Sequence, residues 1–450
     1  MDKSDAMNAN VAATAAGAPM RRGDAAYRAY TEVLRRELVP AMGCTEPIAV
    51  AYAAALARDL AGGPPDRVLV EASASIIKNV KSVVVPHTGG LKGLEAAAAV
   101  GVLAGDASRE LDLLADAGAD TGTAVRDWLA RSQVEVAALE SGEVFDLRVT
   151  AWRGASTGRV RLTGGHTRVV SRERDGRPAG PGDGPPQEAA AGDGSRDWMT
   201  VPGIWEYVEA LDVADVRDIL ARQIRCNLAI AEEGLRGDWG AGIGKVVLAA
   251  GRDGVRTRAK AWPAAASDAR MGGCEMPVVI NSGSGNQGLA VSLPVLAYAR
   301  ELGSGEDDLC RALALANLVA IHQKDGIGCL SAFCGATTAA AGAGAGVAYL
   351  LTRDYHTVVH ALVNALAILP GMACDGAKAS CAAKIAEAVD AALLGVDMIL
   401  AGKQFLGGDG LVTKGVEATI RNIARLGHDG MRETNGEIIR IMLRNPSPTP

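Results

Sequence analysis

Most of the stretch from Ser331 to Leu351 is alanine, glycine and threonine (SAFCGATTAAAGAGAGVAYLL). Side chains this small bury apolar area only where backbones come very close, so the run predicts a tightly packed, buried helix. It contributes too little insertion energy to read as a membrane span. The same bias extends over the chain, which has 55 glycines and only 4% aromatic residues. Its core must therefore be built from Ala, Val, Leu and Ile on closely approaching backbones. Otherwise the balance of 48% hydrophobic and 22% charged residues is that of an ordinary globular protein, and 450 residues suggest two or three domains.

Residues 1–23 are small and polar without periodicity, which predicts a disordered N-terminus. Asp24–Val39 has helical spacing through Tyr27, Tyr30, Val33, Leu34 and Leu38. A second helix is expected from about Glu46 to Leu60, with Thr45 as its cap and Pro47 in its first turn. Then the period changes. Arg67–Ile76, Lys81–Pro86, Val134–Leu139, Val144–Trp152 and Arg159–Leu162 carry the β-branched or alternating pattern of strands. Between them Gly93–Leu114 is Ala-rich and helical, and Ser171–Asp197 is a Gly/Pro/Asp-rich insertion expected to lack structure. From Val213 onward, Ala/Leu-rich helical segments are broken by glycine clusters at Gly272–Gly273, Gly283–Gly288, Gly326–Gly328 and Gly407–Gly410. The expected fold is α+β: an N-terminal α+β domain over 24–212, then an all-helical, glycine- and alanine-rich domain over 213–450.

Several functions are disfavoured. A net charge of −6 without a basic stripe argues against a nucleic-acid partner. Eight unevenly spaced cysteines are too sparse for a disulfide scaffold. The first 20 residues lack a leucine-rich apolar core after a basic start, so a cytoplasmic location is expected. None of the six histidines pairs with a carboxylate at metal-ligand spacing, and there is no G-x-S-x-G elbow.

Three groups of residues could carry chemistry. In Gly43-Cys44-Thr45-Glu46-Pro47, the Cys44 thiol would stand at a helix start, where the dipole favours a thiolate that can act as base or nucleophile. The alternative is a small buried side chain. Cys334, Cys374 and Cys381 sit among glycines, and the last two are seven residues apart, which places them on one helix face if the segment is helical. Thiolates grouped in a reducing compartment suit zinc or iron–sulfur, although each cysteine alone reads as a small core residue. Finally, Asn281-Ser282-Gly283-Ser284-Gly285-Asn286-Gln287-Gly288 matches G-x-G-x-x-G formally. Two helical segments follow it instead of a second strand, which weakens a dinucleotide reading. A glycine loop at a helix start can still bind a substrate carboxylate through its N–H groups, with Asn281, Ser282, Ser284, Asn286 and Gln287 as further partners. Lys78-Asn79-Val80-Lys81 with Pro86–Gly90, and Gly164-Gly165-His166-Thr167, read by themselves as solvated loops.

Taken together, GCTEP at Gly43–Pro47, the Lys78–Gly90 segment, NSGSGNQG at Asn281–Gly288, LSAFCG at Leu330–Gly335 and GMACDGAK with SCAAK through Lys384 resemble the L-cysteine desulfidase family. That family is related to the alpha chain of iron–sulfur L-serine dehydratases. The pieces occur in family order over most of residues 24–445. The resemblance implies a cluster-binding helical domain with a [4Fe–4S] cluster held by Cys334, Cys374 and Cys381 and one iron open. It makes Cys44 the catalytic base and implies substrate binding by Asn79, Lys81 and the Asn281–Gly288 loop. His87 stands where the family turn is expected to carry glycine, and would narrow the pocket. Cys329 is an alternative fourth ligand.

The implied reaction is β-elimination of L-cysteine to pyruvate, ammonia and sulfide, with an open iron activating the leaving group. L-Serine or L-threonine dehydration with the same cluster is the nearest alternative. A non-catalytic iron–sulfur or cysteine-sensing protein is another. The expected partner is a small amino-acid substrate, without nucleic acid or membrane; homo-oligomerisation stays open.

Overall fold

Alanine and glycine set how closely the elements of this chain approach one another. The structure, a computed structural model, describes residues 19–180, 196–251, 253–328 and 330–444. Most of the N-terminus expected to be disordered, the greater part of the 171–197 insertion and Cys329 lie outside the described residues.

Helix α1 (Ala25–Glu37) leads through the short β1 (Pro40–Met42) to helix α2 (Thr45–Ala61), β2 (Arg67–Ala72), α3 (Ala74–Val80), α4 (Gly93–Ala104) and α5 (Thr121–Leu129). Strands β3 (Gln133–Ala138), β4 (Asp146–Arg153), β5 (Ser156–Thr163), β6 (Val169–Arg174) and β7 (Arg177–Pro178) follow. They form a sheet of order β3-β2-β4-β5-β6-β7, parallel only between β2 and β3. Burial along β2 alternates, with Val68, Val70 and Ala72 inward, as period 2 requires for a sheet covered on one face. The cover is α2, backed by α4. A Cβ on Gly158 of β5 would fall 2.1 Å from the Ala57 carbonyl oxygen, and one on Gly101 of α4 would fall 2.2 Å from that of Ala51. Helix meets strand and helix meets helix backbone to backbone.

The remainder is mostly helical: α6 (Val201–Ala210), α7 (Arg217–Arg236), α8 (Ile243–Ala250), α9 (Val255–Met271), strand β8 (Pro277–Val279), α10 (Gly285–Leu302), α11 (Glu306–Ile327), α12 (Gly335–Thr352), α13 (Tyr355–Ile368), α14 (Cys381–Leu400), α15 (Val416–Arg425) and α16 (Arg432–Arg444). The alanine–glycine run forms α12, buried against α10, α11, α13 and α14. Gly342 and Gly346 of α12 lie against the carbonyls of Ala316 and Ala312 of α11. Helix α1 also packs into this body: Tyr30 stacks on Tyr207 of α6 at 5.3 Å between ring centroids. Strand β1 pairs antiparallel with β8, bringing the segment before Cys44 beside the segment before the glycine loop. Among the described residues no helix is long and apolar enough to cross a membrane.

Two local expectations fail for physical reasons. Residues 81–86 form no strand; only Val84 bridges to Lys92. Upstream, Ser73 accepts a hydrogen bond from the Ile76 amide and starts α3, so Ile76 and Ile77 are helical. A short apolar run does not distinguish helix from strand by period alone. Residues 171–178, expected to lack structure, instead extend the sheet as β6 and β7 around Asp175-Gly176, both at positive φ (51° and 74°). Asp-Gly between two strands is a two-residue hairpin signal, obscured here by the Pro/Gly-rich residues that follow.

Gly101→Ala should therefore destabilise the protein by about 1–3 kcal/mol, the usual cost of overpacking. Gly118→Ala, where a Cβ meets nothing within 4 Å, should be near neutral. Urea unfolding of the two variants checks this.

Candidate active site

A cavity of about 570 Å³ opens between one end of the sheet and the helical body. Its lining includes Cys44, Glu46, Asn79, His166, Arg270, Ser282, Ser284, Asn286, Gln287, Lys324, Cys334, Cys374 and Cys381.

The wall from the N-terminal part is organised by Glu46. Gly43 has φ +65° and passes so close to Pro86 that a Cβ would fall 2.5 Å from its Cγ. Cys44, not Thr45, is the residue that precedes α2, and it makes no side-chain cap. Its thiol donates to Glu46 Oε2 at 3.1 Å, and Asn79 Nδ2 donates to Oε1 at 3.1 Å. Thr45 Oγ1 lies 3.1 Å from both Glu46 Oε2 and the Gly283 carbonyl oxygen, tying the helix start to the glycine loop. His166, packed edge-on against Phe145, has Nε2 3.9 Å from Glu46 Oε1, an electrostatic contact too long for a hydrogen bond. Burial pushes the Glu46 carboxyl up, but the His166 imidazole and the Cys44 thiol outweigh it and bring it from 4.5 to about 2. Burial and the Glu46 charge push the Cys44 thiol well above its ordinary range, against a smaller opposing effect of Arg270. Burial thus opposes the thiolate expected from the helix start and outweighs the dipole of one helix end.

Three further thiols line the same cavity, and Cys381 packs against the cluster that holds Cys44. Phe333 and Ala373 form an antiparallel bridge, flanked by Cys334 N–H to Met372 O (2.8 Å) and Cys374 N–H to Ala332 O (2.6 Å). In that register Cys334 and Cys374 are diagonal neighbours on one face. Cys334 immediately precedes α12, and Cys381 is the first residue of α14. Cys374 lies in the extended segment before α14, so the expected shared helix face does not exist; the fold of that segment brings the two together instead. The hydrogen bond from Cys334, the Lys78 and Lys384 ammonium groups and the Gly376 amide lower the Cys374 thiol, despite burial. Through the same bond Cys334 is raised, and burial raises Cys381. Among the described residues, no three His, Cys, Asp or Glu side chains are arranged to hold a single ion. Three thiols in one cavity, with two lysines to balance thiolate charge, fit a group broader than one ion, and thiolate sets are the donors that iron–sulfur clusters take.

The glycine loop supplies a third side. Ser282, Ser284, Asn286 and Gln287 line the cavity, but Asn281 does not. Asn281 is fully buried and donates to Asn317 Oδ1 at 3.0 Å, anchoring the loop to α11. Lys81 is also outside the cavity lining, and its Nζ donates to the Met442 carbonyl oxygen. His87 occupies a left-handed position (φ +59°), which explains why glycine suits that turn, yet it pairs with Glu275 at 3.0 Å and does not narrow the cavity. Spacing did not reveal Glu46, His166 or Arg270 as cavity residues. Glu46 lay inside the GCTEP motif and His166 inside a noted Gly-Gly-His-Thr turn; Arg270 had no signal of its own. Asn79 Oδ1, His166 Nε2, Arg270 Nε and Gln287 Oε1 are buried without a hydrogen-bond partner among the described residues. Buried polar atoms rarely stay unpaired, and all four of these residues are among those that line the cavity.

Fold and cavity define a protein of mixed helix and sheet, as the α+β expectation had it, with a thiol-rich pocket between a sheet and a helical body, and sequence comparison identifies its kin. The chain belongs to the serine dehydratase alpha chain family, whose model matches residues 125–440. Cys44, Glu46 and Asn79 precede that span. Over nearly full length the chain is similar to the UPF0597 protein of Desulfitobacterium hafniense, at 48% identity over 429 residues, covering 95% of this chain and 99% of that one. The UPF0597 protein of Lachnoclostridium phytofermentans is 45% identical, covering 93% and 100%. UPF0597 protein YhaM of Escherichia coli O157:H7 is 38% identical, covering 92% and 97%. The relation to serine dehydratase alpha chains expected from the motifs therefore holds.

Glu46 also makes stability depend on pH. Its folded value lies below its unfolded one, so its contribution is present above 4.5 and is lost as pH falls toward about 2. Glu46→Gln should cost about 1–3 kcal/mol near neutral pH, and the difference from wild type should shrink on acidification. Denaturant unfolding from about pH 7 to about pH 3 measures it.

Proposed function

We propose that this chain is an iron–sulfur-dependent lyase that converts L-cysteine to pyruvate, ammonia and sulfide by β-elimination. The observation that supports the reading is that Cys334, Cys374 and Cys381 line one cavity together with Cys44. The three thiols would hold a [4Fe–4S] cluster, which supplies a Lewis acid that improves the leaving group. Without such activation the Cα proton of an amino acid is too weakly acidic to remove.

The protein's own groups do the rest. The Asn286 and Gln287 side chains and the start of α10 bind and orient the substrate, and the buried walls exclude bulk water. Cys44 takes the Cα proton. Its thiol must first give its own proton to solvent hydroxide at the open cavity, a transfer that burial and the Glu46 carboxylate oppose; a substrate ammonium beside Glu46 would offset that carboxylate and ease it. Elimination then leaves aminoacrylate, whose imine tautomer hydrolyses to pyruvate and ammonia. Because the acting form is the thiolate of a raised thiol, sulfide release should increase as pH rises into the alkaline range. The family name favours L-serine dehydration as a second reading, and parallel turnover of both amino acids separates the two.

Anaerobically purified Cys44→Ser should retain iron and brown colour, while sulfide release falls by roughly 100-fold or more, as expected for loss of a general base. Cys374→Ser should lose iron. Near-normal turnover in Cys44→Ser sinks the assignment of the base, and full iron in Cys374→Ser sinks the ligand assignment.

A further inference from the structure

One buried cation of the cavity has no role in the elimination so far. Arg270, the penultimate residue of α9, is 2% exposed and lines the cavity. Its Nη1 donates to Asn286 Oδ1 at 3.1 Å, its Nε has no partner, and no carboxylate among the described residues forms an ion pair with it. A guanidinium taken out of water without an anion is costly, and proteins keep such groups where an anion arrives to pair with them. Space for it is built in. A Cβ on Gly285 would fall 2.3 Å from Arg270 Nε, so the guanidinium lies directly against the first residue of α10. Ser284, which precedes that helix, makes no side-chain cap. The start of α10 and the planar fork of Arg270 therefore favour negative charge at the same place. Glu46 lines the same cavity and is bonded to Cys44 and Asn79, not to Arg270. One cavity thus holds a buried cation and a buried carboxylate that do not neutralise each other, an arrangement complementary to a zwitterion.

We propose that Arg270, oriented by Asn286, anchors the α-carboxylate of a small amino-acid substrate and makes the site select α-carboxylates over the corresponding amides. This rests on the reading of the ligand as an amino acid and names the group that recognises it.

The test uses L-alanine and L-alaninamide, which have no β leaving group, in ligand-observed NMR titrations of the full-length protein. Wild type should bind L-alanine more tightly. Arg270→Gln should weaken L-alanine binding by roughly tenfold or more, as for loss of a charge-assisted hydrogen bond, and leave L-alaninamide unchanged. Arg270→Lys, which keeps the charge and loses the fork, should fall between. Absence of a carboxylate preference in the wild type, including binding of neither ligand, overturns the proposal without any variant. An Arg270→Gln protein that melts like wild type and keeps the full preference also overturns it; if that variant does not fold, Arg270→Lys decides on the same criterion. No step needs turnover. A lost lyase activity with an intact, Arg270-dependent preference therefore counts against the lyase reading alone, and the reverse result counts against Arg270 alone.

Discussion

Gly376, at φ +90°, passes the end of α3 so closely that a Cβ would lie 2.1 Å from the Lys78 carbonyl oxygen. Only glycine fits such an approach without strain. This contact joins the loop bearing Cys374 to the helix bearing Lys78 and Asn79, and the remaining geometry of the cavity follows from it. Lys78, 1% exposed and held by Asn435 Oδ1 at 2.7 Å, is thereby set near the Cys374 thiol. Asn79, next along the same turn, reaches Glu46, which in turn holds Cys44. A bulkier residue at 376 would push the loop bearing Cys374 away from Lys78 and Asn79.

Charge is distributed unevenly over this frame. Lys78 and Lys384 act on the Cys334–Cys374 pair, and Glu46 acts on Cys44. Two thiols buried in one cavity therefore respond in opposite senses. Cys374 is drawn toward the thiolate, the form that binds soft metals, and Cys44 is drawn away from it. Helix starts alone do not predict this, because Cys44 and Cys334 both immediately precede helices and both are raised. Neighbouring charges and desolvation dominate where water is excluded.

Composition and local pattern carried the broad architecture. The β-branched segments became β2 to β5, the alanine–glycine run became α12 at the centre of the helical body, and the cysteines and glycine loop quoted for the family line one cavity. The errors cluster where local signals compete. Val83–Val85 resemble a strand but have almost no partner, Asp175-Gly176 turns a hairpin inside a segment that reads as linker, and Asn281 resembles a ligand-binding amide but is spent on Asn317.

The sequence by itself determined the kinds of contact this protein could make. Small side chains required close backbones, and free thiols among glycines marked where a soft metal group could be held. Only tertiary structure decided which groups meet. Cys334 and Cys374 are brought onto one face by a single bridge between Phe333 and Ala373, and Arg270 reaches the glycine loop from a helix that ends ahead of β8. Periodicity reports which face of an element is buried, but buried charge is governed by distances of a few ångströms between segments far apart in the chain. The missed residues, Glu46, His166 and Arg270, are ionisable groups of just that kind, whose meaning lies in neighbours that local spacing does not encode.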